Sequence, residues 1–209
     1  MNSSKLNTRS MVYITMLCSI QLILMLTPLG FIQITPIFRV TTMHIPVILA
    51  GILFGVKGGA ILGLVFGISS VITNTLTPNA MSFLFSPFAP PMGDYRGNFW
   101  SLVIAIGPRV LLGVLSAAIY NLFKKTKFNT MGSLITAIVC TLIHSAMVLG
   151  LIALFFGEAY AAETNNLVDN LFRVMLGIIF TNGLIEAFLA AFLVTAIAKI
   201  LEPMIKKVK

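Results

Sequence analysis

Four polar side chains stand where the surrounding sequence is almost wholly apolar: Arg109 in Gly107-Pro108-Arg109, His144 between Thr141 and Ser145, and Asn182 followed four residues later by Glu186. That spacing puts Asn182 and Glu186 on one face of a helix. Ionisable groups inside an apolar span are costly, so they normally face a bundle interior, where they meet a substrate or each other. Arg109 and Glu186 fit either role, and His144 reads equally as a ligand contact or as a satisfied core histidine. A proton relay through Glu186 lacks the companion acids that a relay needs. A second polar group, Asn74, Thr75, Asn79, Ser82, Tyr95, Arg96 and Trp100, crowds one connection and completes the candidate substrate-binding set. Amides, hydroxyls and an aromatic residue beside an arginine describe a pocket for a small, partly polar metabolite. An arginine can hold a carboxylate through two parallel hydrogen bonds. Arg96 is preferred for that contact because Glu186 can hold Arg109, and Arg39 and Arg173 are the other candidates.

The missing motifs narrow the chemistry. There is no G-x-x-x-x-G-K-[ST] phosphate loop, so transport powered by this chain's own ATP hydrolysis is excluded. His44 and His144 lie far apart, without H-E-x-x-H or a Cys/His cluster, and no metal site is expected. No G-x-S-x-G occurs, and no cofactor is implied. An intramembrane enzyme would need a nucleophile or metal set that is not visible, so no enzyme is expected. A purely structural bundle leaves the polar, aromatic segment near Arg109 and Glu186 unexplained.

The elements that must position these groups are membrane helices. Of 209 residues, 58% are hydrophobic and 10% charged, with a mean hydropathy of +1.01. A soluble domain carries about 25% charged residues. Soluble, disordered and coiled-coil classes are thereby excluded. The net charge of +8 is not a nucleic-acid patch, because the basic residues cluster beside apolar runs. Cys18 and Cys140 lie within such runs and read as small core residues, not as a disulfide. Lys5 and Arg9 before the first run imitate a signal peptide, but no cleavage site follows, so the first helix is expected to be retained.

Spans are expected at 11–31, 43–56, 58–75, 101–123, 132–156 and 172–200, with Lys57-Gly58-Gly59 turning the chain between the second and third. Six helices put Lys5, Arg9, Lys57, Lys124, Lys125, Lys127, Lys199, Lys206, Lys207 and Lys209 on one side, ten of the 14 basic residues. The positive-inside rule makes that side cytoplasmic. The expected fold is an all-α membrane protein, one domain over 1–209, with six transmembrane helices and both termini inside. Segments 32–42, 76–100 and 157–171 are then external, with Asp94, Glu158, Glu163 and Asp169. Segment 76–100 combines six Pro and Gly residues with Phe83, Phe85, Phe88, Tyr95, Phe99 and Trp100, and reads as a binding loop or lid, or else as an interfacial aromatic belt. Gly51, Gly55, Gly59, Gly63 and Gly67 form a ladder at four-residue spacing, suited either to internal packing or to docking on a partner. Thr15 and Ser19 make a weaker small-residue pair in the first helix.

Several stretches resemble the S-components of energy-coupling factor (ECF) transporters. They are T-M-H-I-P-V-I-L-A-G-I-L-F-G-V-K-G-G-A (42–60), G-P-R-V-L-L-G (107–113) and N-G-L-I-E-A (182–187). Within that family, N-T-L-T-P-N-A-M-S-F-L-F-S-P-F (74–88) is most similar to the pantothenate-specific branch. The resemblance covers nearly the whole chain. It implies a subunit in the bacterial cell membrane that captures a vitamin externally, most simply pantothenate, with pyridoxine or a thiamin pyrimidine precursor as the alternatives. It also implies a membrane coupling subunit and two cytoplasmic ABC-type ATPases as partners, and toppling in the bilayer as the route of delivery. The family docks on its coupling subunit through small-residue surfaces, often A-x-x-x-A in the first helix. Here Thr15, Cys18 and Ser19 stand in place of alanines, so Gly51–Gly67 is a second expected docking surface.

Overall fold

A computed structural model describes residues 8–33, 39–91, 93–124, 129–163 and 170–206. The expectations placed on Lys5, Lys125, Lys127, Lys207, Lys209 and Asp169 lie outside the described residues, as do those on the side chains of Arg39, Glu163 and Lys206. The elements are α1 (Thr8–Leu26), a short antiparallel hairpin of β1 (Phe31–Gln33) and β2 (Arg39–Thr41), α2 (Ile45–Leu76), α3 (Phe99–Phe123), α4 (Asn129–Glu163), α5 (Leu171–Ile178) and α6 (Leu184–Lys206). A π-helical turn, Ile179–Gly183, joins α5 to α6. The fold is almost entirely helical, with the small hairpin as an addition the apolar runs do not announce.

Among the described residues, five helices are long and apolar enough to cross a membrane, where six spans were expected. The expected pair 43–56 and 58–75 forms the single element α2, broken at Gly55 and not at Lys57-Gly58-Gly59. Gly55 adopts φ 73° and ψ −165°, a region that residues with a Cβ rarely enter. The chain doubles back there. In a straight helix Gly51 and Gly59 would stand about 12 Å apart, yet a methyl on either would come within 2.8 Å of the same carbonyl, that of Gly113. The arm before the break, at about 15 Å, is too short to cross a bilayer alone. It is buried from Ile45 to Leu53 and forms the centre of the main core, with Leu62, Phe66, Leu112 and Val194 around it.

The glycine ladder is spent on that packing. A Cβ at Gly59 would lie 2.1 Å from Gly113 O, one at Gly63 2.3 Å from Arg109 O, and one at Gly67 2.8 Å from Ile106 Cα. Small residues thus let the α2 and α3 backbones touch. The docking surface expected over Gly51–Gly67 is corrected accordingly: Gly51, Gly59, Gly63 and Gly67 face α3, and only Gly55 meets open space. On α1, by contrast, Thr15 and Ser19 are exposed, and their hydroxyls donate to Met11 O and Thr15 O within the helix.

The aromatic connection between α2 and α3 is not a solvated loop. Phe83 and Leu84 are 1% exposed and belong to a second core with Ile104, Ile152 and Phe156. Tyr95 stacks on Phe83, and Trp100 stacks on Phe155 at 3.8 Å. Asn98 and Ser101 form a reciprocal cap that starts α3, with Asn98 Oδ1 accepting from Trp100 N and Ser101 Oγ accepting from Asn98 N.

Candidate functional site

One cavity of about 990 Å³ opens between the hairpin, α2, α3, α4, the π-helical turn and α6. It lies at the upper end of the size range usual for small-molecule sites. Each wall brings its polar groups for a local reason.

On α3, Pro108 has no amide N–H, so the carbonyl four residues back, Ile104 O, loses its helical donor. Arg109 Nη1 donates to that oxygen at 2.5 Å. The adjacent proline and arginine are therefore one device: the first frees an acceptor and the second occupies it. Arg109 is 7% exposed, and its guanidinium carbon lies 5.3 Å from the Phe66 ring centroid and 5.2 Å from that of Phe85. Its Nε has no partner.

Elsewhere in the lining, Asn182 falls within the π-helical turn and Glu186 in the first turn of α6. Such widened turns re-aim side chains and recur at functional sites. Glu186 Oε1 accepts from Thr41 N at 2.7 Å, tying the hairpin to α6. Of the two roles left open for Arg109 and Glu186, mutual pairing is not what the geometry gives: the arginine holds Ile104 O and the carboxylate holds Thr41 N. His144 on α4, whose ring centroid lies 6.3 Å from that of Phe66, and His44 just before α2 also line the cavity. Burial pushes His44 down to about 4, opposed in part by its hydrogen bond to the Thr41 backbone. It is therefore neutral at pH 7.

Buried polar groups without partners are rare and call for an explanation. His44 Nε2, Arg109 Nε, His144 Nε2 and Asn182 Oδ1 all lack a partner, and all four residues line this cavity. Among the described lining residues, Arg109 is the one side chain with a fixed positive charge and Glu186 the one acid. The cavity thus combines one cation with several further polar groups that have no partner. That arrangement suits a molecule with an anionic end and a hydroxyl- or amide-bearing end. Among the described residues, no group of three or more His, Cys, Asp or Glu gathers to hold a metal.

Of the expected site residues, Asn74, Asn79, Arg109, His144, Asn182 and Glu186 line the cavity. Thr75, Ser82, Tyr95, Arg96 and Trp100 do not. Arg96, the residue preferred for the direct contact, is exposed and lies outside this lining, whereas Arg109 is within it; Arg173 is exposed as well. Thr75 and Ser82 serve the wall behind the cavity: Thr75 Oγ1 meets Ser86 Oγ at 2.6 Å, and Ser82 Oγ donates to Asn74 Oδ1 at 2.8 Å. Sequence reasoning missed Thr41, Phe66, Ser70, Thr73, Thr77, Phe85 and Ser145, and weighed His44 only as a metal ligand. A signal was available for part of this set. Ser70, Thr73, Asn74 and Thr77 follow the spacing of a single helical face at the end of an apolar run.

Residues 9–198 match the family described as "ECF transporter, substrate-specific component". The chain is 38% identical over 157 residues to the pantothenic acid transporter PanT of Lactococcus lactis subsp. cremoris (strain MG1363), covering 75% of this chain and 74% of the relative. It is 25% identical over 207 residues to the pantothenate transporter PanT of Leuconostoc mesenteroides subsp. mesenteroides, covering 96% and 95%.

Proposed function

Because the chain belongs to the family of ECF-transporter substrate-specific components, we propose that it is the pantothenate-binding subunit of a vitamin importer. One observation carries the reading of the site: a lone cation and three further unpartnered polar groups converge with Glu186 on one cavity. Pantothenate is a monoanion with hydroxyl and amide groups along the rest of its length, which complements that distribution. Its carboxylate goes to Arg109, and its hydroxyl and amide groups meet Glu186, Asn182, His144 and His44, with Asn74 and Asn79 on the flanking wall. Pyridoxine and a thiamin pyrimidine precursor carry no carboxylate and would leave Arg109 unmatched.

The remaining assignments follow from the family. The protein works with a membrane coupling subunit and two cytoplasmic ABC-type ATPases. Both termini are cytoplasmic and the cavity mouth is external before delivery. The reversal at Gly55 supports this orientation, because the short arm of α2 supplies the extra change of direction that brings both ends to one side. Docking on the coupling subunit falls to the exposed face of α1 that carries Thr15 and Ser19, since the glycine ladder is engaged by α3.

Reconstitution tests the transport role. In proteoliposomes this chain alone should retain pantothenate without concentrating it, and accumulation should require the coupling subunit, both ATPases and ATP. Uphill accumulation by the isolated chain under a proton gradient would overturn the assignment.

A further inference from the structure

We propose that Phe66 and Phe85 clamp the Arg109 guanidinium between their ring faces, and that this clamp makes the site selective for a ligand with a carboxylate end. The inference rests on the pantothenate reading above and assigns specificity to residues that would not themselves bond the ligand. Phe66 comes from the second arm of α2 and is 4% exposed. Phe85 comes from the connection to α3. Their centroids lie 5.3 and 5.2 Å from the guanidinium carbon, within cation–π range. With both rings within cation–π range of the guanidinium carbon and Ile104 O bound to Nη1, the remaining hydrogen-bonding capacity is that of the other N–H groups, which lie in the guanidinium plane. A planar carboxylate can use two in-plane N–H groups at once, whereas a hydroxyl uses one. The rings also exclude water from the cation, so the charge of an incoming anion counts for more than it would in solution.

The turn bearing Phe85 is fixed largely by hydroxyl side chains that do not line the cavity. Ser101 Oγ donates to Phe83 O at 2.7 Å, Ser82 Oγ to Asn74 Oδ1 at 2.8 Å, and Phe85 N to Ser82 O at 3.0 Å. The hydroxyl pair of Thr75 and Ser86 closes the same turn. Phe66 and Phe85 are thus positioning residues, and the polar network behind them sets where Phe85 stands.

The test is equilibrium binding of two ligands to the purified full chain: pantothenate, and its alcohol analogue in which a hydroxymethyl group replaces the carboxylate. The parent should prefer pantothenate, and Arg109→Gln should erase that preference. Phe85→Leu, Phe85→Met and Phe66→Leu should each weaken pantothenate roughly tenfold while changing the alcohol analogue less than about threefold; Phe85→Tyr, which keeps a ring face, should bind as the parent does. Pro108→Ala returns a donor to Ile104 O and should also reduce the preference. If Arg109→Gln erases the preference but the Phe85 and Phe66 variants keep it, or lose both ligands equally, the clamp is wrong and the pantothenate reading stands. If the parent binds no pantothenate, or Arg109→Gln keeps the preference, the reading itself fails and the clamp with it.

Discussion

Arg109 takes its place from three parts of the chain: the carbonyl freed by Pro108, a ring from α2 and a ring from the connection to α3. Losing a partner from a desolvated charge pair costs about 2–5 kcal/mol, roughly thirtyfold to several-thousandfold in affinity. Arg109→Gln should weaken pantothenate binding by that much, and Arg96→Gln, at an exposed position, should leave it within about threefold. Titration of both folded variants checks this, and the reverse order would move the carboxylate to Arg96. Arg109, His144, Asn182 and Glu186 were legible because an ionisable or amide group in an apolar run is conspicuous. His44 and Phe66 were not: one precedes its helix and the other is a phenylalanine among many, and only tertiary packing brings them to the cavity. Thr75 and Ser82 were legible as polar but not by role, since a hydroxyl that braces a turn looks the same in sequence as one that meets a ligand.

The contact between α2 and α3 depends on backbone approaching backbone. Gly59 and Gly113 leave no room for a methyl group, with each Cβ position about 2 Å from the other's carbonyl. Overpacking typically costs about 1–3 kcal/mol, and a clash between two backbones cannot be relieved by a rotamer change. Gly59→Ala and Gly63→Ala should therefore lower the thermal midpoint in detergent clearly, while Gly150→Ala, which meets nothing within 4 Å, should leave it nearly unchanged. Equal effects at all three positions would contradict this packing. The glycine spacing announced a close approach, but not whether a neighbouring helix or a separate subunit supplied the other side. The break at Gly55 was hidden for a related reason: Lys57-Gly58-Gly59 carries the usual turn composition, yet Gly58 and Gly59 are needed for close contact and Gly55 for its positive φ.

Across the whole molecule, the cavity, the hairpin and the aromatic connection gather at one end of the helices, and the Tyr120 hydroxyl donates to Glu202 near the other end of the chain. The positive-inside bias is the ground on which the proposed orientation places the cavity end outside. In a variant without Cys18 and Cys140, an impermeant reagent applied to intact cells should label Asn79→Cys and spare Asn129→Cys; the opposite pattern would invert the orientation. The helical, membrane-spanning class was readable because length and apolar composition carry it, whereas the count was not: six spans were expected, and the described residues hold five helices long and apolar enough to cross. A reversal within this region was expected at Lys57-Gly58-Gly59, but its place at Gly55 was not, because a short, fully buried arm has the same composition as part of a longer span. The most direct test of the central claim is calorimetric titration of the purified chain with pantothenate. Saturable binding of one pantothenate per chain is predicted; no saturable binding by a folded chain freed of co-purified ligand would contradict it.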